Sequence, residues 1–171
     1  MIFINIGSNL CSYKGDRLYN LKKSIDLIKK QKIKILKISS VYETPSYPNK
    51  KNPKFLNLCL AIKSKKTPVT LIKTFQVIEK KLQRNRGLKN QPRTCDIDII
   101  DYYGKIINTS IINLPHPRSH LRNFVLYPLS EISPNWKHPA LNQTIEFLIK
   151  RLNFKLRNEI TRLNESVIID L

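Results

Sequence analysis

The sequence predicts an α+β fold: a ferredoxin-like βαββαβ core with a mainly antiparallel sheet, helices packed on it, and a C-terminal extension. Three observations carry that prediction. Apolar stretches of period two and period 3.6 follow one another in the order strand, helix, strand, strand, helix, strand. Two of the helical stretches begin with residues that cap helices. Proline- and glycine-containing segments fall between the periodic stretches and not within them.

The first strand is "MIFINIG", closed by a glycine turn, in which Gly7-Ser8-Asn9 reads as a plain turn. A helix follows Asp16, with Leu18, Leu21, Ile25 and Ile28 on one face and lysines opposite. "KIKILKISSVYET" reads as one second strand, and "PSYPNKKNPK", with three prolines, as a loop. "FLNLCLAIKS" is the third strand. The second helix starts at Thr67, which can cap, and Pro68, which suits the first helical position. Leu71, Ile72, Phe75, Ile78 and Leu82 form its apolar stripe, and Gly87 is expected to end it. "TCDIDIIDYYG" is the fourth strand, and a return strand is expected near residues 106–112. "LPHPRSHLRNFVLYPL" reads as a loop entering a short helix, and "QTIEFLIKRL" as a last helix. This order predicts helices segregated to one face of the sheet. No repeat or linker interrupts the chain, so one domain over residues 1–171 is expected.

Lys and Arg number 31 against 12 Asp and Glu, a net charge of 31 − 12 = +19. Such a charge favours polyanions: nucleic acid, an anionic membrane or a phosphate-rich substrate. The lysines are spread over every segment of a chain also rich in Ile and Asn, whereas a nucleic-acid footprint is a focused patch. The three cysteines, Cys11, Cys59 and Cys95, have no zinc-type spacing and read as reduced thiols of a cytoplasmic protein. No apolar run approaches the roughly 18 residues of a membrane helix, and Met1 to Ile6 is too short for a signal peptide.

Acids being scarce, "PRTCDIDIID" stands out. Residues two apart on a strand share a face, so Asp96 and Asp98 project together. Adjacent carboxylates repel unless a positive group lies between them. Magnesium suits the pair, because it takes one or two carboxylates plus substrate phosphates. A solvent-facing strand side laced to lysines is the alternative. Arg93 precedes the pair, and Arg84 and Arg86 follow the second helix. Guanidinium groups bind phosphate oxygens through a planar fork, although cations at a helix C-terminus are also favourable in themselves. His116 and His120 lie four apart, but no third residue completes a zinc spacing, and His116 suits a phosphate donor better.

Six stretches in order, "GSN" (7–9), "SSVYETP" (39–45), "FLN" (55–57), "IEKKLQRNR" (78–86), "PRTCDIDII" (92–100) and "PHPRSHLRNFVLYPL" (115–129), resemble the 6-hydroxymethyl-7,8-dihydropterin pyrophosphokinase family of folate biosynthesis. The resemblance spans roughly residues 1–135. It implies transfer of pyrophosphate from ATP to the pterin hydroxymethyl oxygen, releasing AMP. It implies two Mg²⁺ ions held by Asp96 and Asp98, and catalytic roles for Arg84 and Arg93 together with that pair. By the same resemblance, Gln76, Glu79, Arg84, Arg93, His116 and Arg122 line the ATP site. Thr44, Pro45, Phe55, Asn57, Asn90 and Phe124 fall at pterin-pocket positions. A monomer acting on these small molecules is expected, with no specific nucleic acid and no membrane. The chain departs from the family pattern at Asn90-Gln91, where Trp-Gly is usual, and at Pro48, where glycine is frequent. The loop from Arg86 to Arg93 is one residue short of the family's usual form.

Two other classes compete. An RNA-binding module of similar fold needs strand aromatics in the string [KR]-G-[FY]-[GA]-[FY]-V-x-[FY], which is absent. A metal-dependent nuclease needs further acids near the pair, and only Asp101 and Glu79 offer themselves.

Overall fold

The computed structural model describes residues 1–85, 87 and 91–164. Its elements run β1 (Ile2–Ser8), α1 (Arg17–Lys29), β2 (Lys34–Ile38), β3 (Tyr42–Thr44), β4 (Phe55–Lys63), α2 (Pro68–Lys81), β5 (Asp96–Tyr102), β6 (Ile107–Asn108), β7 (Asn113–Leu114), a 3₁₀ turn (Ser119–Leu121), α3 (Asn123–Ile132), α4 (Ile145–Arg151), α5 (Phe154–Asn158) and β8 (Thr161–Arg162). The main sheet has the order β5-β1-β4-β3-β8, with β2 also on β4. Every pair in it is antiparallel. The ferredoxin-like core is therefore present.

Local chemistry starts the helices as expected. The Asp16 carboxylate accepts the Tyr19 N–H at 2.8 Å, and Thr67 Oγ1 accepts the Thr70 N–H at 3.3 Å. Each such cap contributes about 1 kcal/mol. The second helix ends earlier than Gly87: α2 stops at Lys81, and Gln83 takes the left-handed conformation at φ 64°. The expected single second strand is two strands, β2 and β3. Between them Ser39 substitutes for the ladder, its Oγ accepting the Cys59 N–H at 2.9 Å while its N–H donates to Cys59 O. The expected return strand is a short β6–β7 hairpin off the main sheet.

The helices cover both faces, not one. Against α1 and α2 lie Ile2, Ile4 and Ile6 of β1, Leu56, Leu58, Leu60 and Ile62 of β4, and Ile97 and Ile99 of β5. On the other face Phe3, Cys59, Ala61 and Ile100 pack against Val125, Leu126 and Leu129 of α3 and Ile145 and Leu148 of α4. The reason is visible in the inner strands, where both alternating sets are apolar near the covered end; full burial of each Ile or Leu contributes about 1.5–3 kcal/mol. A register shift at Phe3/Ile4 inserts Ile100 as an extra residue in β5. It brings Ile100 and Asp101 onto the α3 face, where Asp101 Oδ2 accepts from Trp136 Nε1 at 2.8 Å.

Candidate active site

On the α3 face the apolar cover stops partway along the strands. Beyond it lies a polar half, and the register fixes its rows. Asp96 pairs with Gly7, Gly7 with Asn57, and Asn57 with Tyr42. One row back, Asp98 pairs with Asn5. Neighbouring strands lie about 4.8 Å apart, so Asp96 and Asn57 face each other across the Gly7 backbone at roughly 10 Å.

The two aspartates have different surroundings. Asp96 is ion-paired to Arg84 through Oδ1 and to Arg93 through Oδ2, the latter at 2.6 Å. Burial works against its charge, but Arg93 and Arg84 outweigh it and hold the carboxyl below the usual range. Among the described residues Asp98 has no such partner: Arg122 Nη1 lies 3.8 Å away and the His116 ring, through Nε2, 3.9 Å away. Burial first, and then the Asp96 charge, push it up to about 6. Its side chain remains 39% exposed, toward the cleft.

Glu79 of α2 is buried and accepts the Ile97 N–H at 2.9 Å while pairing with Arg84. This buried carboxylate ties α2 to the start of β5 and aims Arg84 at Asp96. His116 Nδ1 accepts the Arg118 N–H at 3.1 Å, so the neutral ring carries its proton on Nε2. Burial and Arg122 push its pKa down to about 4. Nε2–H and Arg122 Nη1, 3.4 Å apart, are then two donors converging on one point beside Asp98. His116 and His120 do not form a pair: the His120 ring stacks edge-on against His138, 5.4 Å away.

Gln76, Glu79, Arg84, Asp96, Asp98 and His116 line a cleft of about 260 Å³. Its other end is apolar, with Ile72, Ile111 and Ile112. The sequence does not place those isoleucines at the site: Ile72 reads as part of the helix stripe, and Ile111 and Ile112 as part of a return strand.

Across the Gly7 row, Asn57 is buried and donates to Thr44 Oγ1 at 3.2 Å. A Cβ on Gly7 would stand 2.9 Å from Asn57 Oδ1 and 3.6 Å from the Phe55 ring, so the close approach requires glycine. Phe55 and Phe124 are half-buried, each with a guanidinium over its ring: Arg93 at 4.9 Å and Arg122 at 5.3 Å. Pro45 is half-buried next to Thr44. Asn90 and Arg86 lie outside the described residues.

Two further residues hold this arrangement, Asn5 and Asn9, which read in the sequence only as part of a strand and of a turn. Asn5, between Ile4 and Ile6, is buried, and with its amide nitrogen turned toward them it donates to Leu58 O and Phe124 O, 3.1 Å each. A lone amide in an apolar strand was the available signal. Asn9 is no plain turn residue. Its Oδ1 accepts the Arg93 N–H at 2.7 Å, its N–H donates to Arg93 O at 3.0 Å, and its Nδ2 donates to Ser46 Oγ and Pro53 O at 3.1 Å.

Comparison with known proteins decides the family. A family profile described as 7,8-dihydro-6-hydroxymethylpterin-pyrophosphokinase (HPPK) matches residues 3–134. The chain belongs to this family. A 2-amino-4-hydroxy-6-hydroxymethyldihydropteridine pyrophosphokinase of Aquifex aeolicus is 34% identical over 145 residues, 85% of this chain and 88% of that protein. The Bacillus subtilis protein of the same name is 37% identical over 131 residues, 76% of each. The folic acid synthesis protein fol1 of Pneumocystis carinii is 34% identical over 151 residues, 88% of this chain but 20% of that protein. A crystal structure of Plasmodium falciparum HPPK-DHPS with pteroate superposes with a TM-score of 0.72 at 15% identity, covering 94% of this chain and 47% of that one. At that identity the likeness is one of fold. The HPPK chain thus spans most of its bacterial relatives, a fifth of the fungal one and about half of the Plasmodium one. Membership makes it a hydroxymethyl dihydropterin pyrophosphokinase, an enzyme of folate synthesis.

Proposed function

We propose that this HPPK transfers pyrophosphate from ATP to the hydroxymethyl oxygen of 6-hydroxymethyl-7,8-dihydropterin, with Mg²⁺, giving the pterin diphosphate and AMP. The observation that carries the reading is the paired row on the α3 face. Two carboxylates, one of them uncompensated, stand among arginines, and Asn57 with Thr44 stands one strand pair away across Gly7.

Magnesium fits the carboxylates. Asp98, with its raised pKa and no cation within 3.5 Å among the described residues, has the charge a divalent ion would neutralise. No cluster of three or more His, Cys, Asp or Glu stands ready for a metal among the described residues, so the remaining ligands would be phosphate oxygens and water, as Mg²⁺ prefers. Two ions held by Asp96 and Asp98 would supply charge neutralisation to the triphosphate.

The chain's own groups do the positioning on which phosphoryl transfer depends. The apolar end of the cleft, with Ile72, Ile111 and Ile112, accepts the nucleotide base, and Gln76 and Glu79 lie between it and the phosphates. Arg84 and Arg93 are pre-aimed by Glu79 and Asn9 and face developing charge on the transferred group. Neutral His116, through Nε2–H, and Arg122 donate to one phosphate oxygen. The pterin lies between Phe55 and Phe124, its edge read by the Asn57 amide and by Thr44 and Pro45. Asn90 would close over it from the loop.

The test incubates the protein with ATP, the hydroxymethyl dihydropterin and Mg²⁺ and separates the nucleotides. AMP in step with pterin diphosphate is the expected result. Stoichiometric ADP, or no turnover with the pterin, sinks the reading.

A further inference from the structure

The family profile ends at residue 134, yet the chain beyond it closes on the sheet beside the site. Its path touches both walls of the polar half. At the start of α5, Leu156 O accepts from Asn123 Nδ2 at 2.7 Å. Asn123 is buried in the first turn of α3, between Arg122 and Phe124. Two residues beyond Arg157, whose carbonyl accepts from Tyr127 Oη at 3.4 Å, Glu159 is ion-paired to Lys50 of the 45–54 loop. Thr161 and Arg162 then pair antiparallel with Glu43 and Tyr42 of β3, and the Leu163 N–H donates to Val41 O at 2.8 Å. Arg162 Nε donates to Ser40 Oγ at 2.9 Å, and Nη2 lies 3.4 Å from Glu131 of α3. Glu131 in turn accepts from the Ser40 N–H at 3.1 Å and from Tyr42 Oη at 2.9 Å.

β3 is three residues long and carries Thr44 at its end. Without β8 it would be the edge of the sheet, held on one side only. The opposite wall, Phe124, rides on α3. We propose that residues 153–163 are a strap that fixes the spacing between Thr44 on β3 and Phe124 on α3, with Arg162 and the Lys50–Glu159 pair as its positioning residues. The proposal rests on the assignment of the pterin to those walls. It predicts an effect on one substrate only, because none of the strap's hydrogen bonds and ion pairs among the described residues reaches Asp96, Asp98, Gln76 or Ile72.

The test titrates the hydroxymethyl dihydropterin into full-length protein holding Mg²⁺ and a non-hydrolysable ATP analogue, and the analogue alone into the same variants. Arg162→Ala should weaken pterin binding about tenfold, or ~1.4 kcal/mol. The analogue's Kd should stay within about twofold, and Arg162→Lys should recover part of the loss. Lys50→Glu should weaken the pterin about threefold, and the exchange Lys50→Glu with Glu159→Lys should restore it. Unchanged pterin affinity in Arg162→Ala, or equal weakening of both ligands, overturns the strap. Wild-type protein that binds the analogue and ignores the pterin would instead sink the pterin assignment itself.

Discussion

The same strands present two faces with opposite chemistry. Toward α1 and α2, alternate residues are Ile or Leu from Ile2 to Ile6 of β1, from Leu56 to Ile62 of β4 and at Ile97 and Ile99 of β5, with Ser8 and Tyr102 only at strand ends. Toward α3 the other alternate residues change character along the strand, from Phe3, Ala61 and Ile100 under the helix to Asn5, Gly7, Asn57, Asp96 and Asp98 beyond it. The first face has only to exclude water, so any well-packed apolar set serves it. The second holds carboxylates that burial disfavours, and they are compensated differently: Asp96 by two arginines, Asp98 by nothing within hydrogen-bond reach among the described residues. Glu79 belongs to α2 on the other face, and reaches the site at the β5 edge by pairing with Arg84 and accepting the Ile97 N–H. Stability is concentrated on one side and reactivity on the other.

The comparison breaks most sharply at the aspartates. Asp96→Asn and Asp98→Asn should each lower turnover at least ~10²-fold, since loss of one preorganised electrostatic group costs that much. The two should diverge in stability. Asp96→Asn takes the carboxylate from Arg93 and leaves Arg84 with Glu79, and should lower Tm. Asp98→Asn removes a charge the fold disfavours, and should raise the stability of ligand-free protein at pH 7–8 by about 1 kcal/mol, once solvent screening of a partly exposed group is allowed for. Paired measurements of turnover and thermal unfolding decide. Near-normal turnover in either variant at saturating Mg²⁺ makes the strand side a solvated face.

On the apolar face the balance reverses. Leu58→Ala should cost about 2–5 kcal/mol in chemical denaturation, yet leave activity per folded molecule near normal at low temperature. A loss of turnover out of proportion to the unfolded fraction would mean that the two faces are not separable.

Gly7→Ala tests the polar row where its two halves meet. The new Cβ must displace Asn57 Oδ1, and pterin affinity should fall by roughly tenfold while the ATP analogue binds as before. Unaltered pterin binding would remove Asn57 from the pocket.

The smallest effect is a pH dependence. His116, His120 and His138 all have lowered pKa values, burial being the first cause in each. The unfolded chain therefore takes up more protons in acid, and the stability these groups contribute above pH ~6.5 is lost as pH falls below it. Asp98 acts in the opposite sense. Its pKa is raised, so stability rises as pH falls from about 6 toward its unfolded value. In Asp98→Asn the histidines should dominate between pH 7 and 5, with the lowered Asp96 and Glu43 carboxyls adding in the same direction, and Tm should be lower at pH 5 than at pH 7 by roughly 2–4 °C, the shift ~1 kcal/mol gives at this size. A flat profile in that variant would mean that the three histidines titrate normally in the fold. Cation binding by the wild type should strengthen as pH rises through about 6, where proton and metal cease to compete for Asp98.

By itself the sequence determined whatever depends on neighbours a few residues away. The caps at Asp16 and Thr67, the alternation that puts Asp96 and Asp98 on one side, and the order of strands and helices all follow from local chemistry and period. The ordered motifs also named the family, because spacing survives when individual residues change. Only the tertiary structure decided what depends on register and packing between distant segments. Period two cannot tell which side a helix will cover, so the second helical layer was invisible in strands apolar on both sides. The helix end also differs: α2 stops at Lys81, and Gln83, not Gly87, takes the left-handed conformation after it. Glu79 was placed at the nucleotide site by the family resemblance, but its bond to the Ile97 N–H came only with the packing of α2 on β5; Asn9 read as a turn until Arg93, Ser46 and Pro53 closed around it. The C-terminal strap has two paired residues and no periodic signal at all; it exists as a strand only because β3 offers it an unpaired edge.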